Sequence, residues 1–343
     1  MKTKIAINGF GRIGRTVFKI LFERDDVEIV AINDLTDHAT LAHLLKYDSN
    51  YGTYQHEVSA DDESITVNGK KIEVLSERDP SQLPWADHNV DIVIESTGFF
   101  VKPEDARMHV DAGAKKVIIS APAKGDNADD ATTIVLGVNE EKIESAGDVM
   151  SNASCTTNCV SPVASVMHSK FGIEKAMMTT IHSYTADQSL QDGPHKDLRR
   201  ARSAALNIVP TSSGATIATA KAIPDLEGIF DGMAVRVPTP VGSLTDFTFL
   251  VKKDVTREEV NQAFEDACQQ PYFQGILQCI DDPIVSSDIK GNSHSAIVDT
   301  ALTMVTGGNM VKVVAWYDNE WGYSNRLAEL AADTGKALHA AQG

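Results

Sequence analysis

A glycine-rich loop near the N-terminus constrains this chain more than any other feature. The segment Lys4–Asn8 is apolar and β-branched, and the pattern from Arg12 to Glu23 is helical. Between them the chain reads GFGRIG, with glycines at 9, 11 and 14. Glycines at this spacing let the backbone approach a pyrophosphate, and the following helix offers free N–H groups. The loop therefore predicts a dinucleotide site, although a tight strand–helix turn in another α/β protein would read similarly.

The predicted fold of the first 150 residues follows from what surrounds this loop. A second buried strand, Val27–Asn33, leads into Asp34, a carboxylate placed to accept both ribose hydroxyls of an adenosine. The same carboxylate would repel a 2′-phosphate, so it favours NAD over NADP. Further apolar runs at Asp91–Ser96 and Lys116–Ser120 alternate with helical stretches. This pattern is typical of parallel strands covered on both faces, so residues 1–150 are predicted to form a doubly wound, Rossmann-type α/β domain.

The pattern changes after about residue 150. A helix is predicted over Ser151–Ser169, and longer, partly alternating strands follow it: Met177–His182, Met233–Val237, Leu244–Val251 and Val311–Tyr317. Strands grouped in this way indicate an α+β domain with a mostly antiparallel sheet, which we expect over residues 151–318. The helical stretch within residues 319–343 is expected to pack back on the first domain. Two domains are also what 343 residues lead us to expect.

Composition excludes several classes of function. The net charge of −17 argues against nucleic acid as a partner, because phosphate backbones need clustered cations. No apolar run reaches the roughly 20 residues of a membrane span. The N-terminal segment does not read as a signal peptide, so a cytoplasmic protein with no membrane association is expected. The four cysteines, at 155, 159, 268 and 279, lack metal-ligand spacing, so free thiols and no metal site are expected.

One cysteine stands in a setting suited to catalysis. Cys155 lies among small and polar residues near the start of the helix predicted over Ser151–Ser169. A thiol at a helix N-terminus has its pKa lowered by the helix dipole, but a buried structural thiol is an equal alternative here. Cys159 is interpreted as a small buried residue. His182 ends a strand of the same domain, where it could serve as the base for Cys155, although a lone histidine on a strand is more often a core residue.

Isolated cations in an acidic chain predict anion sites. Residues 197–202 read DLRRAR, and Arg236 is a single charge inside an apolar strand. A charge so placed needs an acidic partner or an anionic ligand. Pairing with acids such as Asp187 or Asp192 is the expectation for Arg199 and Arg202. Anion binding is favoured for Arg200 and Arg236, aided by donors from the segment SSG at 212–214.

Taken together, these segments resemble the phosphorylating, NAD-dependent glyceraldehyde-3-phosphate dehydrogenases of the glycolytic type. The resemblance runs essentially end to end. It rests on INGFGRIGR at 7–15, SERDP at 76–80, ESTGFF at 95–100, SNASCTTNC at 151–159, DLRRAR at 197–202, RVPTP at 236–240 and WYDNEWGYSNR at 316–326.

The resemblance implies roles for individual residues. Cys155 would attack the aldehyde of glyceraldehyde 3-phosphate, His182 would take the proton and stabilise the oxyanion, and inorganic phosphate would cleave the thioester. The cofactor residues implied are Gly9, Phe10, Gly11, Arg12, Ile13, Asp34, Arg78, Ser120 and Asn319. Those implied for the substrate phosphate are Thr185, Asp187, Arg200 and Arg236, and those for inorganic phosphate are Ser154, Thr156, Ser213 and Gly214. A homotetramer is also implied.

Some alternatives stay open at this level. Gly193 and Pro194, together with Asp34 and Leu35, point to NAD, yet dual use of NAD and NADP remains compatible with the sequence. Ser213 stands where the family more usually has threonine. A non-phosphorylating erythrose-4-phosphate dehydrogenase would share the same chemistry, with water resolving the thioester. A catalytically silent NAD-binding regulatory protein is the alternative from a different class.

Overall fold

A computed structural model describes residues 1–341, and its chain divides into two compact units. The first unit contains Met1–Ile134, Asn139–Ala153 and the segment from Ser324 onward. The second contains Val135–Val138 and Ser154–Tyr323. The division therefore falls between Ala153 and Ser154, and the strip Val135–Val138 belongs with the second unit although the chain on either side of it belongs with the first.

The elements are numbered in chain order. The helices are α1 (Arg12–Phe22), α2 (His38–Lys46), α3 (Trp85–His88), α4 (Pro103–Ala106), α5 (Met108–Asp111), α6 (Cys155–Phe171), α7 (Ala215–Ala222), α8 (Arg257–Cys268) and α9 (Trp321–Ala340). The strands of the first unit are β1 (Thr3–Asn8), β2 (Val27–Asn33), β3 (Tyr47–Asp48), β4 (Gly52–Thr53), β5 (Val58–Ala60), β6 (Ser64–Val67), β7 (Lys70–Leu75), β8 (Ile92–Glu95), β9 (Lys116–Ile119), β10 (Thr132–Thr133) and β11 (Val149–Ser151). Those of the second are β12 (Ile173–Ser183), β13 (Val209–Ser212), β14 (Phe230–Val237), β15 (Ser243–Val251), β16 (Leu277–Ile280), β17 (Ala296–Asp299), β18 (Met304–Thr306) and β19 (Met310–Tyr317).

The first unit is built on a nine-stranded sheet in the order β10-β11-β9-β8-β1-β2-β7-β6-β5. From β10 to β7 all neighbours are parallel, which confirms the predicted doubly wound arrangement. The strands β5 and β6 add an antiparallel edge that the sequence patterns did not reveal. The chain leaves β1 toward β2 and returns on its other side at β8, so strand order reverses at β1. In such sheets, ligands bind at the carboxyl ends beside this reversal.

Helix α9 belongs to the first unit from Ser324 onward. His339 Nε2 lies 3.3 Å from Asp91 Oδ2, and Lys336 Nζ lies 3.3 Å from Asp26 Oδ2. A Cβ added to Gly335 would stand 2.1 Å from Thr3 Oγ1, so the helix backbone approaches the first strand closely at this point. Glycine is therefore required there for the helix to pack against β1.

The second unit carries an eight-stranded sheet whose main path runs β13-β14-β12-β15-β19-β17-β16. Most pairs are antiparallel, which confirms the predicted class. The pairs β12–β14 and β16–β17 are parallel. The first of these exceptions matters for the site, because it places His182 directly beside Arg236 in the register.

Helix α6 begins at Cys155, so the prediction that the helix starts at Ser151 was wrong. Ser151 instead ends β11 and pairs with Ile119. Ala153 then adopts a left-handed φ of 54°, and the Ser154 hydroxyl accepts the N–H of Thr157 at 3.0 Å. These two residues turn the chain and cap the helix, which makes the cysteine its first residue.

Within residues 1–341, no helix is both long and apolar enough to cross a membrane. No group of three or more His, Cys, Asp or Glu side chains within that range is arranged to hold a metal ion.

Candidate active site

The three loop glycines have different structural roles. Gly9 has a φ of +91°, and a Cβ there would stand 2.6 Å from the backbone N of Thr97. A Cβ on Gly14 would lie 2.1 Å from the carbonyl oxygen of Gly9. A Cβ on Gly11, the residue before α1, would meet nothing within 4 Å. Gly9 and Gly14 are therefore needed for packing of the loop itself, whereas Gly11 leaves open space in front of the helix.

That open space belongs to a cavity of about 500 Å³ at the carboxyl ends of β1, β2 and β8. Its lining includes four residues predicted to bind the cofactor: Gly9, Gly11, Asp34 and Arg78. Leu35, Glu77, Ser96, Thr97, Phe99 and Phe100 also line it, together with Asn8 and Asn33. The Asp34 carboxylate is held in place by the N–H of Phe10 at 2.7 Å and that of Thr36 at 2.9 Å.

The other cofactor residues predicted in this unit have different surroundings. Phe10 is fully buried, so it contributes its backbone and not its ring to the loop. Arg12 forms an ion pair with Asp48 at 2.7 Å. Ile13 is half-buried in the first turn of α1. Ser120 follows β9, and its N–H donates to the carbonyl of Glu95 at 2.9 Å.

A buried polar network behind the cavity was not found by sequence reasoning. The Trp85 indole N–H donates to His109 Nδ1 at 2.9 Å, so the neutral ring carries its proton on Nε2, which lies 3.1 Å from Glu95 Oε2. The Asn8 amide donates to the same carboxylate oxygen at 2.6 Å, and Asn33 donates to Asn8 Oδ1 at 2.7 Å. Asn8, Asn33 and Glu95 are the last residues of β1, β2 and β8. The network therefore ties together the three strand ends that carry the cavity.

The first unit thus has what a dinucleotide requires. A glycine leaves room before a helix N-terminus, an oriented carboxylate follows the second strand, and the cavity lies at the point where strand order reverses. The residues present fit NAD.

The second unit brings the two predicted catalytic residues together. Cys155 Sγ lies 3.4 Å from His182 Nε2. His182 Nδ1 lies 2.7 Å from the carbonyl oxygen of Ser183. A carbonyl can only accept, so Nδ1 carries the proton of the neutral ring and Nε2 presents a lone pair to the sulfur. The histidine is therefore oriented as a proton acceptor for the thiol.

Burial is the main influence on the pKa values of this pair. His182 is 3% exposed, and its burial, with the nearby positive charge of Arg236, lowers its pKa to about 3. Loss of hydration raises the pKa of the Cys155 thiol, although Arg236 and hydrogen bonds from Thr156 act in the opposite direction. The prediction that the position at a helix N-terminus lowers the pKa of Cys155 was therefore wrong, because desolvation is the larger effect.

Arg236 lies next to this pair and is only partly satisfied. Its Nη1 donates to the carbonyl of Ser183 at 3.2 Å and to the hydroxyl of Thr185 at 2.6 Å. Its Nε is buried and has no hydrogen-bond partner among residues 1–341. Burial lowers the pKa of Arg236, and Asp187 partly compensates. A buried guanidinium with an unmet donor is suited to an anionic ligand.

Arg200 and Asp187 extend the cluster around Arg236. Arg200 Nη1 lies 2.5 Å from Asp187 Oδ2, and Asp187 also accepts the hydroxyl of Thr185. Burial raises the pKa of Asp187, but the Thr185 hydrogen bond and the charges of Arg236 and Arg200 outweigh it and lower the pKa overall. Arg200 thus forms an ion pair with an acidic side chain, whereas the sequence had favoured binding of an anionic ligand at this arginine. Arg202 pairs with Asp192 at 2.8 Å, as expected.

The residues predicted for inorganic phosphate lie at two helix N-termini. Ser154 precedes α6, and Ser213 and Gly214 precede α7. The two helices are joined by Ser161 and Thr219, whose hydroxyls lie 2.9 Å apart. Helix N-termini supply free N–H groups and a positive dipole end, which favour anions.

Two residues of the motif at 316–326 complete the second unit's site. The Tyr317 hydroxyl, which sequence reasoning did not assign, lies 3.0 Å from Thr156 Oγ1 and 2.8 Å from Thr180 Oγ1. Asn319 Oδ1 accepts the N–H of Gly242 at 3.1 Å and the hydroxyl of Ser243 at 2.9 Å. The Asn319 oxygen is thus occupied, so its NH₂ group is the one it can offer to a ligand.

These features define an enzyme class: a dinucleotide-binding unit combined with a unit that holds a cysteine nucleophile, a histidine base and a half-satisfied buried arginine. The comparisons with known proteins are more specific. The family model "Glyceraldehyde 3-phosphate dehydrogenase, NAD binding domain" matches residues 3–103, and the model for the C-terminal domain of the same family matches residues 154–319. The chain belongs to the glyceraldehyde 3-phosphate dehydrogenase family.

Bacterial relatives match over nearly their whole length. A glyceraldehyde-3-phosphate dehydrogenase of Streptomyces coelicolor is 55% identical over 340 residues, which cover 98% of this chain and 100% of the relative. Glyceraldehyde-3-phosphate dehydrogenase 1 of Bacillus cereus is 56% identical, with 96% and 98% covered. Glyceraldehyde-3-phosphate dehydrogenase 1 of Bacillus subtilis is 55% identical, with 97% and 98% covered.

Proposed function

We propose that this chain oxidises glyceraldehyde 3-phosphate to 1,3-bisphosphoglycerate with NAD and inorganic phosphate, using Cys155 as the covalent nucleophile. The observation that carries the mechanism is the 3.4 Å approach of Cys155 Sγ to His182 Nε2, beside the buried Nε of Arg236, which finds no hydrogen-bond partner within residues 1–341. The thiol, the base and an anion-binding cation thus lie within one unit.

The first step is attack of the Cys155 sulfur on the aldehyde carbon. His182 Nε2 takes the thiol proton as the bond forms, since its lone pair already faces the sulfur. The resulting imidazolium donates a hydrogen bond to the oxyanion that develops and then transfers its proton to it, which gives the neutral hemithioacetal and returns the His182 ring to its neutral form. The carbonyl of Ser183 keeps the ring in this orientation through Nδ1.

The dinucleotide is held by the first unit. The residues proposed to bind it are Gly9, Phe10, Gly11, Arg12, Ile13, Asp34, Arg78, Ser120 and Asn319. When bound, NAD supplies the hydride acceptor that turns the hemithioacetal into a thioester. His182 accepts the hydroxyl proton of the hemithioacetal, and inorganic phosphate then attacks the thioester carbon and releases the Cys155 sulfur.

The two anion sites divide the phosphate groups between them. Arg236, Thr185 and Arg200 are proposed to bind the phosphate of the aldehyde, and Asp187 is proposed to complete this site by orienting Thr185 and Arg200. Ser154, Thr156, Ser213 and Gly214 are proposed to bind inorganic phosphate. Because the protein has a net charge of −17, its overall electrostatic potential repels anions, so local cations and helix N-termini are needed to bind them.

The organisation of the whole protein is also part of the proposal. Residues 1–150 are proposed as the NAD-binding domain, 151–318 as the catalytic domain, and 319–343 as a C-terminal helix that packs back on the NAD-binding domain, although residues 342 and 343 lie outside the described part of the chain. The active form is proposed to be a cytoplasmic homotetramer, the state expected for the family.

A phosphate-dependence assay tests the reaction. NADH formation is measured with glyceraldehyde 3-phosphate and with erythrose 4-phosphate, each with and without inorganic phosphate. We expect turnover with glyceraldehyde 3-phosphate that requires phosphate and that is lost in Cys155→Ser. Phosphate-independent oxidation of erythrose 4-phosphate would support the hydrolytic alternative, and NAD binding without NADH formation would support the silent regulatory protein.

A further inference from the structure

Two cysteines outside the active site lie unusually close together. Cys268 is the last residue of α8, and Cys279 lies in β16 at the edge of the second sheet. Their sulfur atoms are 3.5 Å apart, and both side chains are half-buried. Both are free thiols. The active-site chemistry uses neither of them.

We propose that Cys268 and Cys279 form a reversible dithiol–disulfide site that reacts with low-molecular-weight disulfides. A disulfide needs its sulfurs about 2.05 Å apart, so the two atoms must approach by roughly 1.5 Å. The chain between them is short, and its residues Gln270, Tyr272 and Phe273 line a cavity of about 250 Å³ together with Ala267. Empty space next to this loop allows it to shift without displacing packed atoms.

The two thiols are not equivalent, which sets the order of events. The hydrogen bond from the Cys279 thiol lowers the pKa of Cys268 despite burial and the negative charge of Glu265. The same interaction, together with burial, raises the pKa of Cys279. Cys268 is therefore the attacking sulfur and Cys279 the resolving one, because the thiolate is the nucleophile in disulfide exchange.

The reaction balances with a small disulfide, RSSR, as the oxidant. The Cys268 thiolate attacks one sulfur of RSSR, and the S–S bond breaks to release one RS⁻. Cys279 then gives up its proton and attacks the Cys268 sulfur of the mixed disulfide, which releases the second RS⁻. The two protein thiols lose two electrons and two protons, and the reagent is reduced to two RSH molecules. A free dithiol reagent reverses both steps.

The test uses cystamine as the disulfide and the full-length protein carrying Cys155→Ala, so that the proposed catalytic thiol does not consume reagent. After cystamine treatment and alkylation, peptides are mapped by mass spectrometry without reduction. We expect a Cys268–Cys279 cross-link and no retained cysteamine. Adding Cys279→Ser should instead leave a stable cysteamine adduct on Cys268, and adding Cys268→Ser should leave Cys279 largely unmodified. Persistent adducts without a cross-link, or two unreacted thiols, would overturn the proposal.

A stability measurement checks that the bond forms within the existing fold. Because the link joins a helix end to a sheet edge, we expect the Tm of the cystamine-treated protein to rise by a few degrees. The rise should vanish on reduction and be absent in the variant with Cys279→Ser. A lower Tm after cross-linking would show that closure requires local unfolding, which contradicts a site preformed for the bond.

Discussion

Replacing Arg236 by leucine should separate recognition of the substrate phosphate from the chemistry of the aldehyde. The substitution removes a buried Nε that has no protein partner within residues 1–341 and an Nη1 now shared between Ser183 and Thr185. Asp187 keeps its ion pair with Arg200, so no acid loses its last cation. We therefore expect the variant to fold.

The expected loss of kcat/KM follows from the number of hydrogen bonds that Arg236 can donate to the substrate phosphate. Two hydrogen bonds to a charged group, at about 1.5–2 kcal/mol each, amount to about 3–4 kcal/mol. Since about 1.4 kcal/mol is a factor of ten, kcat/KM for glyceraldehyde 3-phosphate should fall by roughly two to three orders of magnitude. Loss of the Arg236 charge also changes the pKa of Cys155 and of His182, but that effect is common to every aldehyde substrate.

The assay compares glyceraldehyde 3-phosphate with unphosphorylated glyceraldehyde, and the ratio of the two kcat/KM values cancels the common effect. We expect the ratio to collapse in Arg236→Leu and to stay within about twofold of wild type in Arg202→Leu, whose exposed ion pair with Asp192 contributes little. If Arg236→Leu lowers kcat/KM by the same factor for both aldehydes, the guanidinium acts on Cys155 and His182 and not on the substrate phosphate. That result would refute the assignment of Arg236 to the phosphate site.

Three further outcomes are expected. Gly14→Ala should destabilise the protein by about 2 kcal/mol or more, measured by denaturant unfolding, because its Cβ would overlap the Gly9 carbonyl. Gly11→Ala should unfold like wild type in the same assay, because its Cβ meets nothing within 4 Å, but it should bind NAD more weakly in a fluorescence titration. Asp34→Ser should lower kcat/KM with NAD by roughly tenfold while improving use of NADP, and unchanged selectivity would refute the role given to the carboxylate. Burial opposes ionisation of Asp91, but hydrogen bonds from the Lys4 backbone and Lys115 lower its pKa overall. The Asp91 carboxylate therefore stabilises the fold at neutral pH, and this contribution is lost as the pH falls through the pKa of Asp91 in the folded protein. Asp91→Asn should therefore lower the free energy of unfolding at neutral pH and match wild type in strong acid.

Much of the first unit could be predicted because its signals are local. The strands at Lys4–Asn8 and Val27–Asn33 are each predicted by a short apolar run, and Asp34 is predicted by its position directly after the second strand. The edge hairpin of β5 and β6 was missed because β5 is a three-residue, mostly exposed strand and β6, although mostly buried, has only four residues, so neither carries a clear hydrophobic pattern. The buried network connects Glu95 to Asn8, 87 positions earlier in the chain, and no local pattern reveals a contact between residues so far apart.

The second unit shows why the geometry of the site could not be predicted. The pairing of Cys155 with His182 depends on the register that sets His182 beside Arg236 in a parallel pair, within a sheet whose other strands are mostly antiparallel. The start of α6 depends on the left-handed Ala153, which propensity did not indicate. The raised pKa of Cys155 depends on burial, a property of the assembled unit rather than of the helix end alone.

The carbonyl of Ser183 accepts hydrogen bonds from two donors, His182 Nδ1 and Arg236 Nη1. In the proposed mechanism, a substrate phosphate bound by Arg236 would compete for Nη1 and cancel part of the positive charge beside His182. The imidazole would then become more basic when an aldehyde is in position to be attacked. Because burial raises the pKa of Cys155, the same coupling would keep the thiol less reactive toward peroxides and other electrophiles until the substrate binds.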